Sequence, residues 1–378
     1  MAKKKENTLK QTRGSFTLSG KVTGVDRDGY YKEGETQNGA EYLRMNFGVK
    51  TSNTQTVYVE SFGMEPENVY LFSNNRELKY PDNMMKLPYS TWLDEKEELA
   101  EEGWNTTDLV IGLERDDSGK LINQINTTKY DGIAQIYDDE LLYNGQDVTV
   151  IGDLVHRSYE NRQGKTVVQT AYEIRKVYGT RKEVDFDSDK FAEVATFKQE
   201  FIYNDFDYDK TLNKITIYGW SVDYNGKPTP VTFVVDASED LYNMEESEKK
   251  ETVEAVQGVI EAIRSKALKY GQICSVHGIV VNKALSEESE DNTGALGALA
   301  GKRERKIVSY QRELAILGFN EIKDGYSEDE ILEALDSNTL ITETKEDKKD
   351  NLNGLGGRKT QTKFEEFEDD MDDDDLPF

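Results

Sequence analysis

A single cysteine, Cys274, and two histidines, His156 and His277, are all that this 378-residue chain offers as soft metal ligands. One cysteine excludes an intrachain disulfide and points to a reducing compartment. Three such side chains cannot furnish a four-ligand Cys/His zinc site, and two histidines leave little acid–base capacity near neutral pH. Walker-type glycine loops, HExxH and GxSxG are missing, so neither an enzyme nor a cofactor is expected. No apolar run approaches the about 20 residues that span a bilayer. Lys3-Lys4-Lys5 is not followed by the apolar stretch of a signal peptide, and the expectation is a cytoplasmic protein. A basic balance is missing too. The formal charge is −27, and it is still −18 once the nine acidic side chains of 364–378 are set aside. Nucleic-acid binders are usually basic, but phosphate responds to the local field, so a positive groove on an acidic protein suffices.

What is present is strand pattern. Ser15 to Tyr178 is rich in Val, Thr, Tyr and Phe with period-2 alternation. Phe16 to Val25 reads as a first strand broken at Gly20, and Gly29 to Gly39 as a turn-rich loop. Tyr42–Thr51 and Thr56–Phe62 read as the next strands, and Asp147–Val155 with Thr166–Val177 as a closing hairpin. Residues 64–143 read as an irregular insert with a short helix near Leu93–Ala100. Five strands with a connector between the third and fourth is the plan of the OB-fold, a small Greek-key barrel.

The second half repeats it. Asn144–Gly152 lines up with Tyr270–Gly278, with Gly145/Gly271, Gln146/Gln272, Val150/Val276 and Gly152/Gly278 identical. Phe47-Gly48 is placed opposite Tyr218-Gly219, and Glu173-Ile174 opposite Glu313-Leu314. Val253, Val256, Val259, Ile260, Ile263, Ala267 and Leu268 recur at helical spacing, giving an amphipathic connector within 250–270. The expected fold is therefore mainly β: two tandem OB-fold barrels and a disordered acidic C-terminal tail. Its parts are a basic arm (1–14), a first barrel (15–183, insert 64–143), a second barrel (184–323), a short helix (324–338) and a disordered linker with an acidic tip (339–378).

The last residues are the most specific motif. Asp372, Asp373, Asp374 and Asp375 run into Leu376, Pro377 and Phe378. A like-charged run repels itself and stays solvated, whereas an aromatic ring beside a carboxylate suits a pocket on a partner. This ending resembles the acidic tip of bacterial and phage single-stranded DNA-binding proteins, with Leu376 where that family usually has Ile. The resemblance implies sequence-tolerant coating of single-stranded DNA in replication, recombination or repair, and recruitment of partner enzymes by the tip. Arg157-Ser158-Tyr159-Glu160 with Gly164-Lys165 resembles a hairpin of the same family. Two barrels per chain depart from its standard bacterial member and favour a monomer or homodimer.

Non-specific single-strand binding needs rings for stacking and cations for phosphate. In an OB-fold these lie on strands two and three and in the loops after strands one and four. The first barrel supplies Tyr30, Tyr31, Tyr42, Arg44, Tyr58, Arg157, Tyr159, Arg162 and Lys165. Alternation places Tyr42, Arg44 and Tyr58 on one outward face and leaves Phe47 or Phe62 for the core. The second supplies Tyr203, Tyr218, Trp220, Lys302, Arg303 and Arg305. Two other readings stand beside this one. The chain could be an acidic interaction hub that never touches DNA, or a metal-dependent nuclease using Asp205, Asp207 and Asp209, three carboxylates that otherwise read as a solvated loop.

Overall fold

The computed structural model describes residues 9–335 except 37–38, 76, 117, 161–165, 189, 239–241, 243, 245 and 289–304. The tip, the linker and the N-terminal lysines lie outside the described residues. The protein is mainly β. Ten long strands carry the architecture: β1 (Gly14–Thr23), β2 (Glu41–Ser52), β3 (Gln55–Met64), β4 (Asp147–Glu160) and β5 (Thr166–Gly179), then β6 (Val194–Asp209), β7 (Lys214–Val222), β8 (Pro228–Asp236), β9 (Ile273–Glu288) and β10 (Arg305–Lys323).

In the first half, β1 pairs antiparallel with both β2 and β4, β2 with β3, and β4 with β5, while β3 runs parallel to β5. The ring closes in the order 1-2-3-5-4. β6 to β10 repeat it, with β8 parallel to β10 and β9 returning to β6. Both halves are thus OB barrels. Alternation produces their cores: Phe16, Leu18, Phe47, Val57 and Val150 point inward in the first, and Phe197, Phe201, Ile217, Phe233 and Val276 in the second.

The repeat holds to individual hydrogen bonds. The Gly145 amide donates to the Val22 carbonyl at 2.8 Å and the Gly271 amide to that of Tyr203 at 2.9 Å. Both glycines have positive φ, 87° and 81°, a region that L side chains avoid. A β-bulge falls beside Gly152 in one barrel and beside Gly278 in the other. These contacts revise two alignments. Gly152 faces Ile174 while Gly278 faces Ile316, so Glu173-Ile174 corresponds to Ala315-Ile316, two residues beyond Glu313-Leu314. Val22 faces Val49 while its counterpart Tyr203 faces Gly219, so Phe47-Gly48 corresponds to Ile217-Tyr218. A one-residue slip exchanges the two faces of a strand: Phe47 and Ile217 are buried, whereas Tyr218 faces solvent.

The barrels join through their first strands. β1 and β6 pair antiparallel with Phe16 opposite Phe197, two equivalent residues on a local pseudo-twofold axis. The turn between β2 and β3 adds a second seam, where Gln55 Nε2 donates to the Val280 carbonyl at 3.0 Å.

Helix α1 (Tyr89–Glu101) forms where a short helix is expected, but the segment around it is not irregular. Strands Asn68–Ser73, Met84–Pro88 and Trp104–Asn105 make a small sheet, and Val69 and Leu71 pack with Trp92 and Leu99 of α1 as a separate core. Tyr31–Glu35 is likewise no loop; it is a strand paired along β2. Gly20 does not break β1 either; it lets that strand approach the Lys50 carbonyl, which a Cβ there would meet at 2.0 Å.

The connectors correspond as well. Helices α2 (Lys129–Asp138) and α3 (Glu246–Arg264) contribute Ile133 and Ile136, and Val256 and Ile260, to the barrel cores. Each ends with a left-handed non-glycine residue, Glu140 (φ 50°) or Lys266 (φ 59°). The next amide in each case, Leu141 or Ala267, donates five residues back, to Ile136 or Ala262, as in a Schellman motif. Residues 328–335 form a last helix, started by a capping box between Ser327 and Glu330. Among the described residues no helix is long and apolar enough to cross a membrane.

Candidate nucleic-acid interface

Alternation on β2 and β3 turns Leu43, Met45 and Phe47, with Val57 and Val59, into the first barrel. The intervening residues form an outward strip. Arg44 stands directly opposite Phe62, Asn46 opposite Glu60, and Gly48 opposite Tyr58. Tyr42, Arg44 and Tyr58 share this face as expected, and Phe62 joins them while Phe47 is the core residue. The Tyr42 and Phe62 rings lie 5.6 Å apart, tilted by 32°. Tyr42 also covers Gly34, where a Cβ would sit 2.7 Å from the phenol oxygen. Arg27 donates to the Tyr58 hydroxyl at 2.9 Å, and its guanidinium carbon lies 5.2 Å from the ring centroid, a cation–π contact.

Beside the rings runs an ion-pair lattice. Arg44 Nη2 donates to Glu60 at 3.2 Å, and Arg157 Nη1 to the other oxygen of Glu60 at 2.9 Å. Arg157 Nη2 also donates to Glu173, which Lys129 Nζ meets at 3.1 Å. Burial alone would raise the Glu173 carboxyl; Lys129 and Arg157 outweigh it and hold its pKa below the ordinary carboxylate value. Among these five side chains three cations stand against two carboxylates, and the carboxyl of Asp108 also lies in the field of Lys129. The α2 backbone is pressed against the end of β3, with a Cβ at Gly63 only 2.4 Å from the Tyr130 nitrogen. That approach brings Lys129, at the start of α2, to the lattice.

Residues 13–351 match the family model described as YorF. The chain belongs to the YorF family. No curated protein matches it. Two solved structures of the single-stranded DNA binding protein from Thermus aquaticus overlap loosely with it. The wild type has a TM-score of 0.33 and a deletion mutant 0.31; each is 11% identical over 84% of this chain and 97% of its own. An overlap that loose carries no function across.

The other expected site residues of this YorF-family chain are scattered. Tyr30 is buried in the first core, where burial raises its pKa to about 12, so it is not a stacking surface. Tyr31 lies flat on Tyr137 of α2, with centroids 3.9 Å apart and planes 8° from parallel. Tyr159 is 47% exposed near the tip of β4. Arg162, Lys165, Lys302 and Arg303 lie outside the described residues, as does the tip 372–378; Arg305 begins β10, and its side chain is not among those described. Tyr203 is buried in the second core, where its pKa rises to about 12, chiefly through burial. Trp220 packs beside Leu9, Val222 and Ile331 of the last helix, edge-on to Tyr270 at 5.8 Å. Both were read from composition without a face, and tertiary packing claimed them. Tyr218 is outward, its hydroxyl donating to Asp207 at 3.1 Å.

Asp205, Asp207 and Asp209 lie on strand β6 and share its exposed face, so the loop assignment is corrected. Among the described residues no three His, Cys, Asp or Glu side chains gather as metal ligands would. The strip residues that were missed are Phe62, Glu60, Lys129 and Glu173. Phe62 was legible: four residues after Tyr58 on one strand, it must share that face. Lys129 was not, because only the fold of the insert brings it to the barrel.

Proposed function

We propose that this YorF-family chain binds single-stranded DNA with little sequence preference on the outward face of β2 and β3. We also propose that its acidic segment 364–378 recruits proteins of replication, recombination or repair, the chain acting as a monomer or homodimer. The observation that carries the reading is Tyr42, Phe62 and Tyr58, half-buried on one outward strip beside Arg44 and Arg157. Stacking a base on such a ring is worth roughly 1–3 kcal/mol. The Arg157 side chain is half-exposed, so it can turn toward a phosphate while Arg44 keeps its bond to the largely buried Glu60. Each phosphate held this way releases counterions, which makes binding fall steeply with salt.

The test is fluorescence anisotropy of a labelled oligo-dT titrated with the full chain at low and high salt, beside a duplex of equal length. Tight binding at low salt, loss of about tenfold or more at high salt and a clear preference over duplex are expected. Salt-independent or absent binding would sink the reading. It would leave an interaction hub, which the net charge of −27 favours.

A further inference from the structure

We infer that the two barrels are unequal, and that single-stranded DNA stacks on the first while the second has lost that surface. The inference rests on the single-strand reading and deepens it. The register that equates Val49 with Gly219 also equates the two strips residue by residue. Asn46 pairs with Glu60, Glu60 with Glu173, Thr216 with Val234, and Val234 with Ala315. Glu173 and Ala315 are themselves equivalent, so the correspondence closes around the barrel.

At these positions the chemistry has been exchanged. Where the first barrel presents Tyr58 and Phe62, the second presents Thr232 and Asp236. Asp236 is 7% exposed, so nothing flat is offered there. Where the first has Arg44, the second has Lys214, whose ammonium sits 2.6 Å from Glu313 and 3.7 Å from Asp236, with its side chain 16% accessible. In the first barrel Arg44, Arg157 and Lys129 share Glu60 and Glu173; here Lys214 faces two carboxylates, and Lys283 stands at the register position of Arg157. Tyr42 corresponds to Leu212, which is not aromatic. The second strip does carry Tyr218, where the first has Gly48. Asp205 and Asp207 stand opposite Tyr218 and Thr216 on the neighbouring strand, and Asp207 accepts the Tyr218 hydroxyl. Two carboxylates beside the one ring repel phosphate, and like-charge contacts of this kind oppose binding. Trp220 and Tyr203 are held in packing, as described above.

The experiment compares oligo-dT affinity at low salt for the full chain and four single variants. Tyr42→Ala and Phe62→Ala in the first barrel should each weaken binding about tenfold, with Tyr42→Phe, which keeps a ring, within about twofold of the unsubstituted chain. Tyr218→Ala should also remain within about twofold. A loss for Tyr218→Ala as large as for Tyr42→Ala would overturn the inference while leaving the single-strand reading intact. Absence of binding by the unsubstituted chain would instead overturn that reading, and the inference with it. Amide hydrogen exchange on the unsubstituted chain gives the same answer without substitution. Oligo-dT should protect Glu41–Met64 and leave Lys214–Asp236 unchanged; equal protection of both segments contradicts the inference.

Discussion

Gly278→Ala is expected to destabilise the second barrel by about 3 kcal/mol or more, the upper end of what overpacking costs. A Cβ there would lie 2.0 Å from the Ala315 carbonyl oxygen and 2.7 Å from the Phe197 ring. Neither neighbour can swing away: one is backbone in the bulged β9–β10 pair, the other a fully buried ring beside the barrel seam. Gly152→Ala should behave alike, because its Cβ would meet the Glu173 carbonyl at 1.9 Å and the Phe16 ring at 2.8 Å. Gly258→Ala is the control. It lies on α3 with nothing within 4 Å of the added carbon, and alanine there should add up to about 1 kcal/mol through helix propensity. Urea unfolding of the three variants checks this. A Gly278→Ala midpoint equal to the unsubstituted one would show that the bulge yields freely.

Acid should weaken the seam between the barrels through His156. The ring is buried on β4, its Nδ1 3.1 Å from Thr170 Oγ1, close to Gln199 of β6. Burial pushes its pKa down to about 4, and the neighbouring Gln199 side chain opposes this more weakly. The unfolded chain therefore takes up a proton first as pH falls below about 6.5, and the folded chain only near 4. The stability held by a neutral His156 is complete above that upper value and drains away across the window, by about 3 kcal/mol at about 1.4 kcal/mol per pH unit. Carboxylates titrate nearby, so the readout is a difference. Urea unfolding of the unsubstituted chain and of His156→Gln, followed from pH 7 to pH 4, should give curves that converge as pH falls. Curves that stay parallel would mean that the imidazole is already charged or already hydrated in the fold.

The barrels were legible in the sequence because an OB core is written in alternation, and because Gly152, Gly271 and Gly278 mark places where a Cβ would meet backbone while Gly145 marks a positive φ. Register was less legible. Phe47-Gly48 and Tyr218-Gly219 look alike as letters, and only hydrogen-bond partners reveal the one-residue slip that puts Tyr218 outside. The insert was misread as irregular because its strands are short and its core is four side chains closed by α1. Helix α2 was overlooked because its ten residues include Gly132, a poor helix former; the helix is held by Thr128, which accepts from the Asp131 amide at 3.1 Å, and by barrel packing. For the site, strand alternation correctly gathered Tyr42, Arg44 and Tyr58. It could not foresee that Tyr30 and Tyr203 are core residues or that Glu60 holds both arginines. Those outcomes depend on which strand covers which.

The account stands most directly on where a base meets the protein. Photocrosslinking of an oligonucleotide carrying 5-iododeoxyuridine to the full chain, followed by peptide mapping, reads this without any substitution. Adducts at Tyr42, Tyr58 or Phe62 are the predicted result. Adducts confined to β7 and β8, or none at all at protein concentrations that saturate the strand, would contradict it.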